Sequence, residues 1–340
     1  MTHLAFRTLV SAVVCAAALA LAPATALAET TLKLSHQFPA STGPDGDFRD
    51  QLAQRFAAEV AQKTGGSLKI EIYPGSSLMK TKSQFGALRK GTLDMSVLPL
   101  AYGGGEVPEV TITLMPALVQ SYEQGLRWKG APIGNELEKI LEAKGIKILT
   151  WVWQAGGIAS RGAPITKPAD IKGLKVRGGD RSMDLLINGA GGAATNLPSS
   201  EIYSAMSTGV LDAALTSSTS LISYRLNEVA KAVTTARGKS FWFMFEPLLI
   251  SMEAWNRLSP EEQKVVTEVG ASLEPFAVEG AKRDDQRLAE VYAASGDTVV
   301  DMDEAAFAEW VAIAKETAYK HFAESVNNGK ALMDMAQSVK

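Results

Sequence analysis

The chain has 340 residues and a formal net charge of −3, with 34 basic and 37 acidic side chains. This balance excludes the basic surface that nucleic-acid binding requires, so no nucleic-acid partner is expected. One cysteine and three histidines are too few for a disulfide framework or a clustered metal site, and no metal or cofactor is expected.

The first 28 residues are typical of a secretory signal peptide. Arg7 precedes an apolar run from Leu9 to about Leu21, and the small-residue pattern at 26–28 follows it. We expect cleavage after Ala28. The apolar run is shorter than an ordinary membrane span, and a retained N-terminal anchor is the alternative.

The rest of the chain alternates strand-like and helix-like segments. In chain order, strands are predicted at 31–35, 67–74, 93–99, 145–153, 174–177, 211–215, 232–235, 240–251 and 298–302. Helices are predicted at about 44–64, 80–90, 121–144 and 181–190, in a short segment from 200 to 209, from 259 to about 293, and at the C-terminus. Such alternation predicts an α/β architecture with mostly parallel strands.

One phrase occurs twice, as ALRKGTLDMSV at 87–97 and AMSTGVLDAAL at 205–215. Each copy is typical of a helix that ends at a glycine, Gly91 or Gly209, before a strand that opens on Leu-Asp. Two copies predict two similar lobes, each with its own sheet. The alternative is that helix–glycine–strand turns recur in any α/β protein.

Residues that directly follow the predicted strands should line a small-molecule pocket, because open α/β sheets bind ligands beyond the carboxyl ends of their strands. These segments are 36–39, 99–102, 151–157, 177–180 and 216–220. They contain aromatic rings, hydroxyl groups, glycines and one cation. We expect Phe38, Tyr102, Trp153 and Phe243 to contribute apolar walls, with core packing as the alternative. Trp151 alternates with Trp153 and is assigned to the core.

Arg177 is the leading candidate for a ligand contact. Its planar guanidinium, placed at a strand end before two glycines, can bind a carboxylate through two parallel hydrogen bonds. The alternative is a surface arginine that is solvated or paired with Asp180. Gln154, Thr216 and Ser217 are further candidates for polar contacts, although the hydroxyl groups can equally cap the following helix.

Several segments in a fixed order resemble the DctP-type solute-binding proteins of TRAP (tripartite ATP-independent periplasmic) transporters. The most specific are PADIKGLKVR at 168–177, LPSSEIYSAMSTGVLDAA at 197–214 and PLLISMEAWNRLSPEEQKVV at 247–266. The similarity extends from about residue 31 to about residue 270, nearly the whole mature chain.

The resemblance implies a two-lobed periplasmic-binding-protein-like fold that closes over a small organic acid in the periplasm. It also implies delivery of the acid to the small and large membrane subunits of a permease, and no enzymatic activity. The implied lobes are 29–153 plus about 242–281 and 154–241 plus about 282–340, with the C-terminal helices packing across both. Arg177 occupies the position of the family arginine that pairs with the substrate carboxylate.

The chain departs from the family pattern at two places. Gly178 and Gly179 replace a frequent Val-Pro after the arginine, and Thr216 and Ser217 replace an amide followed by proline. With Trp153 and Phe243 nearby, these departures favour a monocarboxylate with an apolar or aromatic body over a C4-dicarboxylate or sialic acid. A ligand-sensing module and an enzyme on a similar scaffold are the alternative functions.

Overall fold

The computed structural model describes residues 30–340, so the predicted signal peptide and its cleavage site lie outside the described residues. The strands are β1 (Thr30–His36), β2 (Leu68–Tyr73), β3 (Met95–Val97), β4 (Ile146–Thr150), β5 (Trp153–Ser160), β6 (Lys175–Arg177), β7 (Ala193–Thr195), β8 (Ala213–Ser217), β9 (Ala232–Thr235), β10 (Phe243–Phe245), β11 (Leu248–Ser251) and β12 (Thr298–Asp301).

The helices alternate with these strands. They are α1 (Phe48–Lys63), α2 (Thr81–Arg89), α3 (Tyr122–Trp128), α4 (Pro132–Ala143), α5 (Arg181–Gly189), α6 (Ile202–Ser207), α7 (Ser218–Ser223), α8 (Met252–Arg257), α9 (Pro260–Ser272), α10 (Glu274–Ala294), α11 (Glu304–Ala314), α12 (Lys320–Ser325) and α13 (Gly329–Gln337). No helix within residues 30–340 combines the length and the apolar character of a membrane span.

The strands form two sheets. The first has the order β2-β1-β3-β11-β4, and the second has the order β12-β9-β5-β8-β6-β7, with β10 pairing additionally with β5. The pairs β1–β2, β1–β3, β6–β7, β6–β8 and β9–β12 are parallel. Every pair that involves β5 or β11 is antiparallel, so the sheets are mixed and not mostly parallel as predicted. We call the part built on the first sheet the first lobe and the other part the second lobe.

The two copies of the repeated phrase occupy equivalent places in the two lobes. Gly91 follows α2 and Gly209 follows α6, and their φ angles of 67° and 76° lie in the left-handed region that glycine adopts without strain. The strand after the first copy, β3, belongs to the first sheet, and the strand after the second, β8, belongs to the second sheet. The prediction of two lobes with separate sheets is therefore confirmed.

The chain crosses between the lobes where single strands were predicted. The segment 145–153 is divided between β4 in the first sheet and β5 in the second, and 240–251 is divided between β10 and β11. Because the strand is interrupted at Val152, Trp151 and Trp153 do not face opposite sides. Their rings both pack on Phe245, with centroids 4.7 Å and 5.0 Å from its ring.

Helix α10 is hydrogen-bonded to both lobes. The hydroxyl of Tyr122, on α3 of the first lobe, donates to Oδ2 of Asp285 at 2.7 Å. The hydroxyl of Ser218, on α7 of the second lobe, donates to Oδ1 of the same carboxylate at 2.6 Å. Burial raises the pKa of Asp285 to about 6, although both hydrogen bonds oppose this shift. The lobes therefore share a hydrogen-bonded connection in addition to the crossing strands.

Candidate ligand site

Arg177 lies at the end of β6 with its side chain fully buried. Its Nε donates to the carbonyl oxygen of Leu197 at 3.0 Å and its Nη1 to that of Leu215 at 2.7 Å. Its Nη2 donates to the hydroxyl of Tyr102 at 2.7 Å. No acidic side chain within residues 30–340 lies at ion-pair distance from the guanidinium, in contrast to the expected alternative of a solvated or Asp180-paired arginine.

Two N–H groups of Arg177 remain for a ligand. A guanidinium has five N–H donors, and the three contacts above use one on each nitrogen. One donor on Nη1 and one on Nη2 are left, and a carboxylate has two oxygens to accept them. A buried cation without an anionic partner is costly, so an incoming carboxylate gains more here than at a surface arginine.

Tyr102 connects the first lobe to Arg177. It lies in a 3₁₀ segment, Leu100–Gly105, that follows β3. Its hydroxyl accepts from Arg177 and also from the backbone N–H of Ser199, at 3.1 Å, so one side chain of the first lobe contacts two groups of the second. The sequence pattern predicts Tyr102 as an aromatic wall of the pocket. The structure shows that its polar end makes the contact.

Tyr102→Phe should lower the free energy of unfolding by about 1–3 kcal/mol, because it leaves a charged donor and the N–H of Ser199 unpaired. Urea denaturation monitored by circular dichroism measures this change. Tyr203→Phe is the matched control, since the hydroxyl of Tyr203 is exposed and bonds only to Glu228 across the surface. Equal midpoints for the two variants would show that the Tyr102 contact is not formed in solution.

A second buried arginine, Arg49, was not identified from the sequence. It lies at the start of α1, and its Nε and Nη2 donate to both carboxylate oxygens of Asp47 at 2.8 Å and 2.6 Å. Its Nη1 donates to Ser217, Ser220 and Glu246 at 3.1–3.2 Å. Ser217 and Ser220 belong to the second lobe, so Arg49 also bridges the lobes.

The charges of this cluster influence one another strongly. Burial alone would raise the pKa of Asp47, but the guanidinium of Arg49 holds it below its usual value. Burial raises the pKa of Glu246. The guanidinium of Arg49 lowers this pKa only in part, and the nearby carboxylate of Asp47 raises it further. Glu246 and Gln154 are hydrogen-bonded, and Oε1 of each is buried without a partner among the described residues. These two oxygens are acceptors that the described residues leave without a donor.

The other predicted contacts divide into two groups. Phe38 lies under Arg49, whose Cζ is 3.7 Å from the ring centroid, and Ser217 caps α7 while it accepts from Arg49. Thr216 is a buried residue of β8 and is paired in register with Gly157, not in a loop after the strand. The structure therefore gathers Phe38, Gln154 and Ser217 around Arg49.

Trp153 and Phe243 occupy a different environment. Both belong to the core of the first lobe, where Trp153 packs against Trp128 and Phe243 contacts the ring of Tyr122 at 5.2 Å. Gly125 also lies against the Trp153 ring, closely enough that a side chain there would clash with it. Both rings are therefore held by neighbours in the core of the first lobe.

A cleft of about 550 Å³ lies beside Arg177 at the border of the lobes. The first lobe contributes Lys82, Tyr102 and Glu106, and the second contributes Gly179, Asp180, Arg181, Asp184 and Asn196. Lys82 reaches across to Asn196, whose side-chain oxygen accepts at 3.2 Å. The cleft is thus lined by both lobes.

Asp180 is the N-cap of α5, and its Oδ1 accepts from the backbone N–H of Met183 at 3.0 Å. Its Oδ2 is buried and has no partner among the described residues. Burial raises the pKa of Asp180 from 3.8 to about 8, and neighbouring Asp184 adds to the shift. The carboxyl group is therefore protonated at neutral pH.

Asp180→Asn should stabilise the protein above about pH 4. A carboxyl group with a raised pKa makes its full contribution to the free energy of unfolding when the pH is below its ordinary pKa of 3.8. It loses that contribution as the pH rises towards about 8. Asparagine is an equally good N-cap and does not ionise. The free energy of unfolding of the variant should equal that of wild type near pH 4. It should exceed the wild-type value by up to about 4 kcal/mol at pH 7, since each pH unit contributes about 1.4 kcal/mol. Urea midpoints across this range test the difference, and parallel curves would contradict it.

No group of three or more histidine, cysteine, aspartate or glutamate side chains in the described part of the chain is arranged to hold a metal ion. The candidate site is instead built from two buried guanidinium groups, carboxyl groups and side-chain amides. This donor set suits hydrogen bonding to an anion.

Comparisons with known proteins identify the family to which the chain is related. A model of the bacterial extracellular solute-binding protein family 7, DctP, matches residues 40–325. A solute-binding protein of Albidiferax ferrireducens is 52% identical over 313 residues, which cover 92% of this chain and 93% of the relative. The C4-dicarboxylate-binding periplasmic protein DctP of Rhodobacter capsulatus is 28% identical and covers 86% of each chain.

Solved structures show the same fold. The crystal structure of a TRAP periplasmic solute-binding protein from Rhodoferax ferrireducens with bound malonate has a TM-score of 0.89 and 52% identity, and it covers 91% of this chain and 98% of that one. A TRAP solute-binding protein from a Sulfitobacter species with bound β-D-galacturonate has a TM-score of 0.82 and 25% identity, with coverage of 91% and 100%. These relatives are solute-binding proteins and not enzymes. The chain therefore belongs to the DctP family of bacterial extracellular solute-binding proteins, the solute receptors of TRAP transporters.

Proposed function

We propose that this protein captures a small organic acid in the periplasm, between its two lobes, and delivers it to the membrane subunits of a TRAP transporter. Membership of the DctP family supports the transport role. The observation that carries the binding role is Arg177, a fully buried guanidinium that has no acidic partner among the described residues and keeps one N–H donor on each of Nη1 and Nη2. Its anionic partner is the carboxylate of the ligand.

The capture mechanism is closure of the lobes. Arg177 lies on the second lobe, and Tyr102 and Arg49 contact the second lobe from the first. An acid that binds Arg177 in the open protein becomes enclosed when these contacts form. Exclusion of water then strengthens the ion pair between the carboxylate and Arg177.

The ligand is a short carboxylate. The relative from Rhodoferax ferrireducens, at 52% identity, holds malonate, which is a small acid with two carboxylates. Trp153 and Phe243 are engaged in the core of the first lobe, so the argument for an apolar ligand body loses its basis. A short dicarboxylate therefore replaces the apolar monocarboxylate as the preferred ligand.

The route to the periplasm is an N-terminal signal peptide cleaved after Ala28. The composition of residues 1–28 supports this proposal, and the periplasmic DctP protein of Rhodobacter capsulatus provides the precedent for the compartment. N-terminal sequencing of the protein purified from a periplasmic extract tests the cleavage position. A first residue other than Glu29 would correct it.

Isothermal titration against malonate, succinate, malate, propionate and benzoate tests the proposed function, together with mass spectrometry of small molecules that co-purify with the protein. We expect binding of one acid per chain with no chemical change in the acid. Failure of every carboxylate to bind, or conversion of a bound acid to another product, would remove the proposal.

A further inference from the structure

A second group for the ligand lies three residues after Arg177. Asp180 is 3% exposed, and Oδ2 of its carboxyl group is buried without a hydrogen-bond partner in residues 30–340, while Oδ1 is used to cap α5. An unpaired buried carboxyl oxygen is costly in a folded protein and usually has a functional reason. Asp180 also lines the cleft of about 550 Å³ that both lobes form.

Arg177 and Asp180 are brought close by the glycines between them. Gly179 has a φ of 105°, and a Cβ atom built on it would lie 3.1 Å from Cζ of Arg177. The guanidinium therefore packs directly against the backbone of Gly179, one residue before Asp180. Only glycine permits this conformation and this approach, so the Gly178-Gly179 departure from the family pattern has a structural role.

We propose that Asp180 is a specificity-determining ligand contact: its carboxyl group forms a hydrogen bond through Oδ2 with the second carboxylate of a short dicarboxylate whose first carboxylate is bound by Arg177. This inference rests on the proposed function and names its substrate class. The ligand is thus held at both ends, by a cation at one and by a neutral acid at the other.

The electrostatics of the cleft support a protonated Asp180. Burial raises its pKa to about 8, so the group carries its proton at neutral pH. The charged and titratable side chains around it are Arg177 behind Gly179, Asp184 one turn along α5, and Lys82, Tyr102, Glu106 and Arg181 in the lining of the cleft. An ionised Asp180 would repel a second carboxylate, whereas a protonated one shares its hydrogen with it.

Two consequences distinguish this arrangement from one in which Arg177 acts alone. A dicarboxylate should bind more tightly than a monocarboxylate of equal length, because only the dicarboxylate reaches both groups. Capture should also be linked to proton uptake that grows as pH approaches about 8, because the bound dicarboxylate requires the protonated form of Asp180 and part of the ligand-free protein is ionised there.

Titration calorimetry with malonate and propionate, which have the same carbon chain length, tests the first consequence. We expect wild type to bind malonate at least ~10-fold more tightly, the factor of one hydrogen bond to a charged group. Asp180→Ala should lose this preference, with malonate weakened at least ~10-fold and propionate changed less than about threefold. Asp180→Asn should retain most of the malonate affinity, because its amide still donates to a carboxylate and still caps α5.

Asp303→Ala and Asp303→Asn are matched controls. Asp303 caps α11 in the same way, through a side chain that accepts from Ala306, and it is not part of the cleft. Asp303→Ala should lower the thermal midpoint through the lost cap. Both Asp303 variants should leave the affinities for malonate and propionate unchanged. The Asp303 variants therefore distinguish the loss of a helix cap, which affects stability, from the loss of a ligand contact, which affects affinity.

Titrations of malonate in phosphate and Tris buffers at pH 7 and 8 test the second consequence, since the observed heat depends on the ionisation enthalpy of the buffer when protons are exchanged. Wild type should take up protons with malonate, and Asp180→Asn should take up fewer by the amount that Asp180 contributes. Equal proton uptake in both, equal weakening of both acids by Asp180→Ala, or tighter binding of propionate than of malonate would overturn the inference. Arg177-dependent binding of an acid in these cases would leave the proposed function intact, and absence of binding by any acid would remove both.

Discussion

Arg177→Ala should weaken binding of the captured acid at least ~30-fold, since loss of one partner from a buried charge pair costs on the order of 2–5 kcal/mol. The effect is large because Arg177 is the buried cation of the candidate site that has no acidic partner among the described residues. Arg177→Lys should also bind poorly, because an ammonium cannot reproduce two parallel hydrogen bonds. Calorimetric titration with the acid that binds wild type most tightly measures both changes.

The control for Arg177 is Arg181→Ala. Arg181 is an exposed arginine that lines the cleft between the lobes. Its removal takes away one positive charge, as the removal of Arg177 does, but no buried guanidinium group. A loss of less than about threefold is expected for it, as for a screened surface charge. Arg177→Ala also leaves the carbonyl groups of Leu197 and Leu215 without their donor, so its folding must be checked by circular dichroism. Unchanged affinity in a folded Arg177→Ala protein would remove Arg177 from the site.

Arg49→Met should produce the largest loss of stability. The substitution leaves Asp47 and Glu246 as buried carboxyl groups without their cation, and breaking a buried ion pair by removal of one partner costs about 3–5 kcal/mol. It also removes the bonds to Ser217 and Ser220 that connect the first lobe to the second. Equilibrium denaturation in urea measures the change in the free energy of unfolding.

Second-site substitutions show whether uncompensated charge is the cause. Arg49→Met combined with Asp47→Asn and Glu246→Gln should recover a substantial part of the lost stability, because no buried carboxylate then remains unpaired. Arg55→Met is the control, as Arg55 lies on the same helix but is exposed and stacks on Phe276. If the triple variant is no more stable than Arg49→Met, lost packing on Phe38 explains the effect instead.

The local architecture was predictable where the signals are local. The glycines at 91 and 209 end their helices as expected, and the capping box at Ser259 and Glu262 begins α9. The residues of a glycine helix end or of a capping box are close in sequence. The residues that make the sequence pattern recognisable therefore also make the contacts that end or begin the helix. Arg177 was identified for a similar reason, since the strand, the arginine and the two glycines are consecutive.

Features that depend on distant parts of the chain were missed. Arg49 contacts residues 168 to 197 positions away, so nothing in the sequence around α1 distinguishes it from a solvated helical arginine. The predicted strand ended at residue 153, where β5 begins, and Gly156 and Gly157 are unusual in strands. The structure explains them, since a side chain at Gly156 would clash with the Trp242 ring and the Thr216 carbonyl. Tertiary packing requires these glycines, and local strand propensity does not reflect such packing.

The position of β11 has a consequence for biosynthesis. This strand lies between β3 and β4 in the first sheet, and β4 has no other neighbour there, yet β11 follows β4 only after the whole central portion of the second sheet. A nascent chain that ends before Leu248 therefore cannot complete the first sheet, because β4 has no strand to pair with there. The first lobe is completed only after the central strands of the second lobe have been synthesised, so its folding depends on contacts between distant parts of the chain.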